Sequence, residues 1–325
     1  MRIFSPLAVL LAASTAASAN PVSPNQMLFH AGRGQMVMLA ADDQSGFEEL
    51  WGWNGKQWVL IPCSGPKPPA RELSGAVYDS RRKRIVLYGG AAVKPRHGSL
   101  GDLWEWDGAR WHEIKVNGPA PGPRDHHAMA YDEERGRAVL FSGGRNGETR
   151  YSDTWEWDGS TWTKAAATEV PGGGGAHNTM VYDSVRKRVI LFAGMEHSGR
   201  SHSETWSWDG KIWTRLAVEA EIAPPRRYRH RAGFNDSSGD LVVFGGLLPK
   251  RAPAEIGDTW TFNGTRWSEM KPDGPAPEAR HSHVMSYDPQ RRRIMLYGGF
   301  AFDGKTGTRY QDTWEWDGKS WSRLN

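Results

Sequence analysis

A single cysteine, Cys63, stands among the 325 residues, so an internal disulfide framework is excluded and the core must hold the fold by itself. Long apolar runs are also missing. The run Leu7 to Ala13 is far short of the roughly 20 residues that a membrane-spanning helix needs, and no later stretch approaches that length. Neither charge sign dominates: 41 basic residues face 37 acidic ones, and a formal surplus of +4 does not argue for a nucleic-acid partner. No serine nucleophile motif, phosphate loop or dinucleotide fingerprint is present, so no nucleotide cofactor is expected. His126-His127 and His281-Ser282-His283 lie close in sequence, but no cysteine or carboxylate set at ligand spacing accompanies them, and no metal site is expected.

What the chain does have is 17 tryptophans, 38 glycines and 20 prolines, a composition suited to many short strands and tight turns. Residues 1–19 read as an export signal: Arg2 supplies a positive start, Leu7 to Ala13 an apolar stretch, and Ala17-Ser18-Ala19 a small-residue cleavage site. Cleavage would leave a mature chain from Asn20, destined for the periplasm or the medium.

The pattern Trp-x-Trp-[Asp/Asn]-Gly-x-x-Trp begins at Trp51, Trp104, Trp155, Trp206, Trp260 and Trp314. Every tryptophan falls inside a copy, and Phe262 is the one slot not filled by tryptophan. A period near fifty residues marks radial repetition of four-stranded units. The units run about 24–63, 64–117, 118–169, 170–220, 221–272 and 273–325. In the third, His127 to Tyr131 alternates toward a Tyr-Asp pair and reads as the innermost strand. Ala138 to Phe141 is the second, Thr154 to Trp157 the third, and a fourth starts near Trp162. Asp-Gly or Asn-Gly between the last two strands predicts a two-residue hairpin turn with positive φ.

Tryptophans two residues apart point to one face of their strand, which gives each sheet a broad aromatic side. One sheet cannot bury such a side alone, whereas a ring of sheets buries each against the next. The expected fold is all-β, a six-bladed propeller with four antiparallel strands per blade. The tryptophans are therefore read as structural. The first unit departs most, with Ala40-Ala41 where later units carry a double glycine. If each unit makes one blade, the ring closes by packing alone.

The double glycine ending the second strand, the approach Pro123, Arg124, His127 to the first, and the late tryptophan resemble the Kelch repeat. The whole mature chain is similar to the bacterial Kelch or galactose-oxidase-like propellers. Copper oxidase chemistry of that kind would require a cysteine linked to tyrosine near the axis, and Cys63 falls at the end of an outermost strand.

Aligned on the aspartate of Tyr-Asp, four units carry arginine eight places earlier: Arg71, Arg124, Arg227 and Arg280, with Gly175 in the other. Five places earlier stand Ser74, His127, Asn178, His230 and His283. Both columns enter the innermost strand, which places them at one mouth of a central channel. Guanidinium groups there would suit a carboxylate or phosphate, while a residue repeated in nearly every unit also suits a role that every blade needs. Gly175 and Asn178 break the pattern, as though their blade were making room. An acidic residue two places before the first motif tryptophan recurs in all six units and is read as structural, accepting hydrogen bonds from exposed backbone or pairing with the neighbouring arginines.

Loops between second and third strands share the channel-mouth face. They carry Arg96, Arg150 and Tyr151, then Arg200, Arg251, Arg309 and Tyr310, so that face is basic and irregular. No catalytic pair is identifiable. The expected function is that of an exported, non-catalytic module that binds a protein or carbohydrate ligand on this face, an anionic group on the ligand fitting it best. The resemblance also implies an alternative: some exported propellers of this kind interconvert the anomers of sialic acid, with arginines holding the sugar carboxylate and a histidine such as His230 or His283 relaying the proton.

Overall fold

Six antiparallel sheets follow one another along the chain, each built from one sequence unit, in a computed structural model that describes residues 20–42, 44–93, 97–147, 149–167, 170–173, 175–196, 200–216, 223–249 and 254–325. Residues 1–19, read from the sequence as an export signal, lie outside the described residues. Blade 1 is Ser23–His30, Gln35–Asp42, Phe47–Trp53 and Trp58–Leu60, in spatial order equal to chain order. Blade 3 repeats the scheme with Ala128–Asp132, Arg137–Phe141, Thr154–Trp157 and Trp162–Lys164. Blades 3 and 6 add a small hairpin on the loop face, Gly144–Arg145 with Thr149–Arg150 and Phe300–Phe302 with Gly307–Arg309.

Side-chain alternation sends successive residues of each innermost strand to opposite neighbours. Met129 and Tyr131 pack on Val77, Val86 and Tyr88 of blade 2, whereas Ala128 and Ala130 pack on Met180, Leu191 and Trp206 of blade 4. Trp155 and Trp157 lie together in the first of these layers, as expected for residues two apart. The core is thus a set of seams between blades. The late tryptophans also bond across them: indole Nε1 of Trp213, Trp267 and Trp321 donates to Oγ1 of Thr154, Thr205 and Thr259 at 2.9, 3.0 and 2.9 Å. Where the preceding blade offers Leu50 or Leu103 instead, the N–H groups of Trp111 and Trp162 have no partner.

The ring closes without a borrowed strand. Met27 and Met36 of blade 1 pack on Val284, Met295 and Tyr297 of blade 6. Trp58 donates to Thr313 Oγ1 at 3.2 Å, and the Tyr297 hydroxyl donates to the Pro21 carbonyl at 2.9 Å.

The Asp-Gly turns differ from the expected two-residue form. Trp53 pairs with Trp58, and Trp157 with Trp162, which leaves four residues in each loop. The Asp158 carboxylate accepts the N–H groups of Ser160 and Thr161 at 2.8 and 2.7 Å, so the side chain closes the turn, and only Gly159 needs positive φ, at 99°.

At the seam between blades 1 and 2, the Glu48 carboxylate is buried and accepts from Asn25 Nδ2 and the Arg71 N–H, both at 3.3 Å. Burial pushes its carboxyl up to about 7 against the opposing Arg71 charge. A carboxyl raised on folding contributes stability below its ordinary value near 4.5, and that contribution is lost as pH rises toward 7. Glu48→Gln should therefore gain stability relative to the parent between those pH values, by roughly 3 kcal/mol, and stay level above. Urea unfolding of both proteins across pH checks this; a constant difference would refute it.

Candidate functional site

The four arginines of the expected channel ring are fully buried inside their blades. Arg71, Arg124, Arg227 and Arg280 form ion pairs with Asp102, Asp153, Asp258 and Asp312 at 2.7, 2.8, 2.7 and 2.5 Å. Each guanidinium also donates to a backbone carbonyl where the second strand ends, those of Gly89, Ser142, Gly245 and Gly298. The same carboxylates accept from the first motif indoles, Trp104, Trp155, Trp260 and Trp314, at 2.7 to 2.8 Å. Burial pushes the Asp102 and Asp312 carboxyls up, but hydrogen bonds and charge from Arg71 and Arg280 outweigh it and hold both below the usual range. The arginine is a clamp between strands, not a free donor to a ligand, and the recurrent acidic residue is its partner. Tyr151 and Tyr310 of the loop face cap two clamps, with ring centres 4.2 and 3.8 Å from the guanidinium carbons of Arg124 and Arg280.

Blade 4 does not make room by losing its arginine. A Cβ at Gly175 would stand 1.9 Å from the Met195 carbonyl oxygen, so backbone fills the place. Asn178 is buried in the same blade. His127, His230 and His283 are buried between blades, edge-on to Tyr88, Phe192 and Phe244 at 6.0, 5.4 and 5.5 Å, and their ring nitrogens have no side-chain partner among the described residues. Burial drives His127 down to about 3 and the other two well below the usual histidine range. These rings are uncharged packing groups at neutral pH, which removes His230 and His283 as proton relays. Arg309 donates to the Val22 carbonyl at 2.9 Å, helping to join the last blade to the first. The Arg200 carbonyl accepts the Glu196 N–H at 2.7 Å in its turn. Arg96 and Arg251 lie outside the described residues.

The residues that rim the channel stand one place before those histidines. Leu73, His126, His177, Arg229 and Ser282 all have left-handed backbone, with φ of 58, 57, 59, 56 and 55°. Their main chains link neighbouring blades: His126 N–H donates to the Leu73 carbonyl at 2.9 Å, His177 to His126 at 3.2 Å, and Ser282 to Arg229 at 3.0 Å. The geometry repeats while the side chains do not, which separates a shared structural need from variable chemistry.

Two cavities meet at this rim. The channel, about 410 Å³, is walled by the innermost strands and reaches His126, His177 and Arg231. A second of about 280 Å³ lies beneath the blade 2 and blade 3 loops and is lined by Ser99, Asp125, His126, Asn146, Arg150 and His177. The His126 and His177 rings meet edge-on at 4.1 Å, and His126 Nδ1 lies 2.5 Å from Asp125 Oδ1. Asp125 is further engaged by Ser99 Oγ at 2.5 Å. Arg150, Arg229 and Arg231 have no carboxylate within ion-pair distance among the described residues, and the Arg229 Nε is buried without a partner. Burial and the Arg229 charge push the Arg231 guanidinium down to about 10, still protonated at neutral pH. Cations gathered in a partly desolvated cleft, where the Asp125 carboxylate is already taken up by His126 and Ser99, make an electrostatic site for an anion. Of the expected site residues, Arg150 lines the smaller cavity, and His127 and Asn178 line the channel. His126, His177, Arg229 and Arg231 escaped the alignment because it followed the repeated columns; the column one place earlier, Leu73, His126, His177, Arg229 and Ser282, carried three of them.

Residues 34–246 and 184–325 match the KLHDC2/KLHL20/DRC7 Kelch-repeats domain. This chain belongs to the Kelch-repeat family. It is 31% identical over 213 residues to the dynein alpha chain of the flagellar outer arm of Chlamydomonas reinhardtii, covering 58% of this chain and 4% of that one. Over 242 residues it is 24% identical to host cell factor 1 of Rattus norvegicus, covering 66% of this chain and 11% of the relative. The Kelch chain thus spans a small part of the curated relatives it matches. The solved structure titled "Structure of YjhT" superposes with a TM-score of 0.69 at 14% identity, over 95% of this chain and 99% of that one, a likeness of fold.

Proposed function

We propose that this protein is an exported, non-catalytic Kelch propeller that binds an acidic segment of a partner protein at the channel mouth. Kelch domains bind proteins, and loops on a rigid disk suit recognition. The observation that carries the reading is the convergence of Arg150, Arg229 and Arg231 on His177, where the nearby carboxylate, Asp125, is already held by His126 and Ser99. Arginine forks matched to carboxylates would supply both affinity and orientation. Export rests on residues 1–19; mass spectrometry of the expressed protein should find an N-terminus at Asn20, and an uncleaved product retained in the cytosol would remove that part.

The mature chain, immobilised and probed with an array of acidic and neutral peptides and of glycans, should retain acidic peptides. Arg231→Gln should weaken retention tenfold or more, since a charge-assisted hydrogen bond is worth about 1.5–3 kcal/mol. Retention unchanged in Arg231→Gln would move the site away from the mouth. A second reading rests on the Asp125–His126 pair, whose 2.5 Å contact at Nδ1 leaves Nε2 for proton transfer on a sugar acid. Anomer exchange of freshly dissolved sialic acid, followed by NMR, separates the two: a rate equal to buffer leaves binding alone.

A further inference from the structure

His177 is the residue on which the rim converges. Its ring meets His126 of blade 3 edge-on at 4.1 Å and Tyr228 of blade 5 at 5.9 Å. The charged groups that act on it are His126, Arg229, Arg231 and Arg150, all cationic or able to become so. The nearby carboxylate, Asp125, is already engaged by His126 and Ser99. Burial foremost keeps this imidazole neutral, and repulsion from His126 and the three guanidinium groups acts in the same sense. A carboxylate entering between these arginines offsets their repulsion at the ring. The added proton then completes a charge-assisted hydrogen bond to the anion instead of adding to an uncompensated cluster.

From this arrangement we infer that the mouth takes a carboxylate together with a proton, and that the proton resides on His177. The inference rests on the anion-binding reading of the same site and adds its ligand class and its control. His126 is less suited to receive the proton on binding, because Asp125 already holds its Nδ1 side at 2.5 Å whether or not a ligand is present. Linkage makes the effect reciprocal: a ligand that raises proton affinity at His177 binds more tightly where protons are more available. An exported protein meets acidic surroundings without a cytosolic buffer, so such a site would retain its ligand at low pH and release it toward neutrality.

The test is isothermal titration of the mature chain with tetraglutamate peptide and, separately, N-acetylneuraminic acid, in two buffers of different ionisation enthalpy between pH 6 and 8. The two probes distinguish a protein carboxylate from a sugar acid. The expected result is uptake approaching one proton per bound carboxylate, with affinity rising by up to about tenfold per pH unit as pH falls. His177→Gln should still bind while losing the uptake and the pH slope, and Lys56→Gln, on an exposed hairpin turn of blade 1, should keep both. The His177 ring resonances in NMR should titrate at higher pH with ligand than without. Binding with no proton uptake, or uptake that survives His177→Gln, overturns the inference and leaves the anion site standing. Failure of both probes to bind at any pH overturns the anion site itself.

Discussion

Arg280→Ala is expected to lower the stability of the ring by about 3–5 kcal/mol, because it strips a buried carboxylate of its partner. Arg280 is fully buried, and the side chain of Asp312 is 7% exposed. Once the guanidinium is gone, Asp312 retains the Trp314 N–H at 2.7 Å and little else to offset its desolvation, and the Gly298 carbonyl loses its donor. The control is a change of both partners, Arg280→Met with Asp312→Leu, which should recover much of the loss since two apolar groups leave no buried charge behind. Urea unfolding followed by tryptophan fluorescence reads all three proteins. A loss under 1 kcal/mol for Arg280→Ala would mean that the clamp is not what holds second and third strands together. Arg231→Gln should behave oppositely, costing no stability while weakening ligand binding, since it relieves burial of a charge and repulsion from Arg229 instead of breaking a pair.

Trp58→Ala should cost a similar amount, about 3–5 kcal/mol for an aromatic truncated in a packed core, and its consequence should be local to one seam. Trp58 is fully buried, lies 5.8 Å from the Tyr297 ring, and bonds to Thr313 across the junction of first and last blades. Every other seam joins blades that are also adjacent in sequence; this one joins the two ends. Hydrogen exchange should show blade 1 and blade 6 amides losing protection ahead of the rest in the variant. Uniform loss around the ring would argue that closure does not depend on this seam.

These two expectations concern residues whose pattern was plain in the sequence but whose roles were not equally so. The tryptophans could be read because strand alternation fixes the face on which Trp155 and Trp157 lie, and only a neighbouring blade can cover it. The arginine column was visible too, yet its spacing from Tyr-Asp could not tell a guanidinium aimed at the channel from one folded back on Asp102 or Asp153. That depends on where the second and third strands bring the aspartate, thirty residues away along the chain. The Asp-Gly turns were misjudged by two residues for a local reason: the aspartate side chain closes a four-residue loop as well as positive φ closes a two-residue one.

From its sequence alone this protein was bound to be a ring of six four-stranded blades sealed by tryptophan, since period, alternation and turn residues are local properties that each unit states separately. Only the tertiary structure decided which side chains meet at the axis. The rim residues reach it through a left-handed backbone that neither histidine nor arginine signals in sequence. Their company there, three guanidinium groups around His177 of blade 4, comes from blades 3 and 5, brought together by the packing of neighbouring blades.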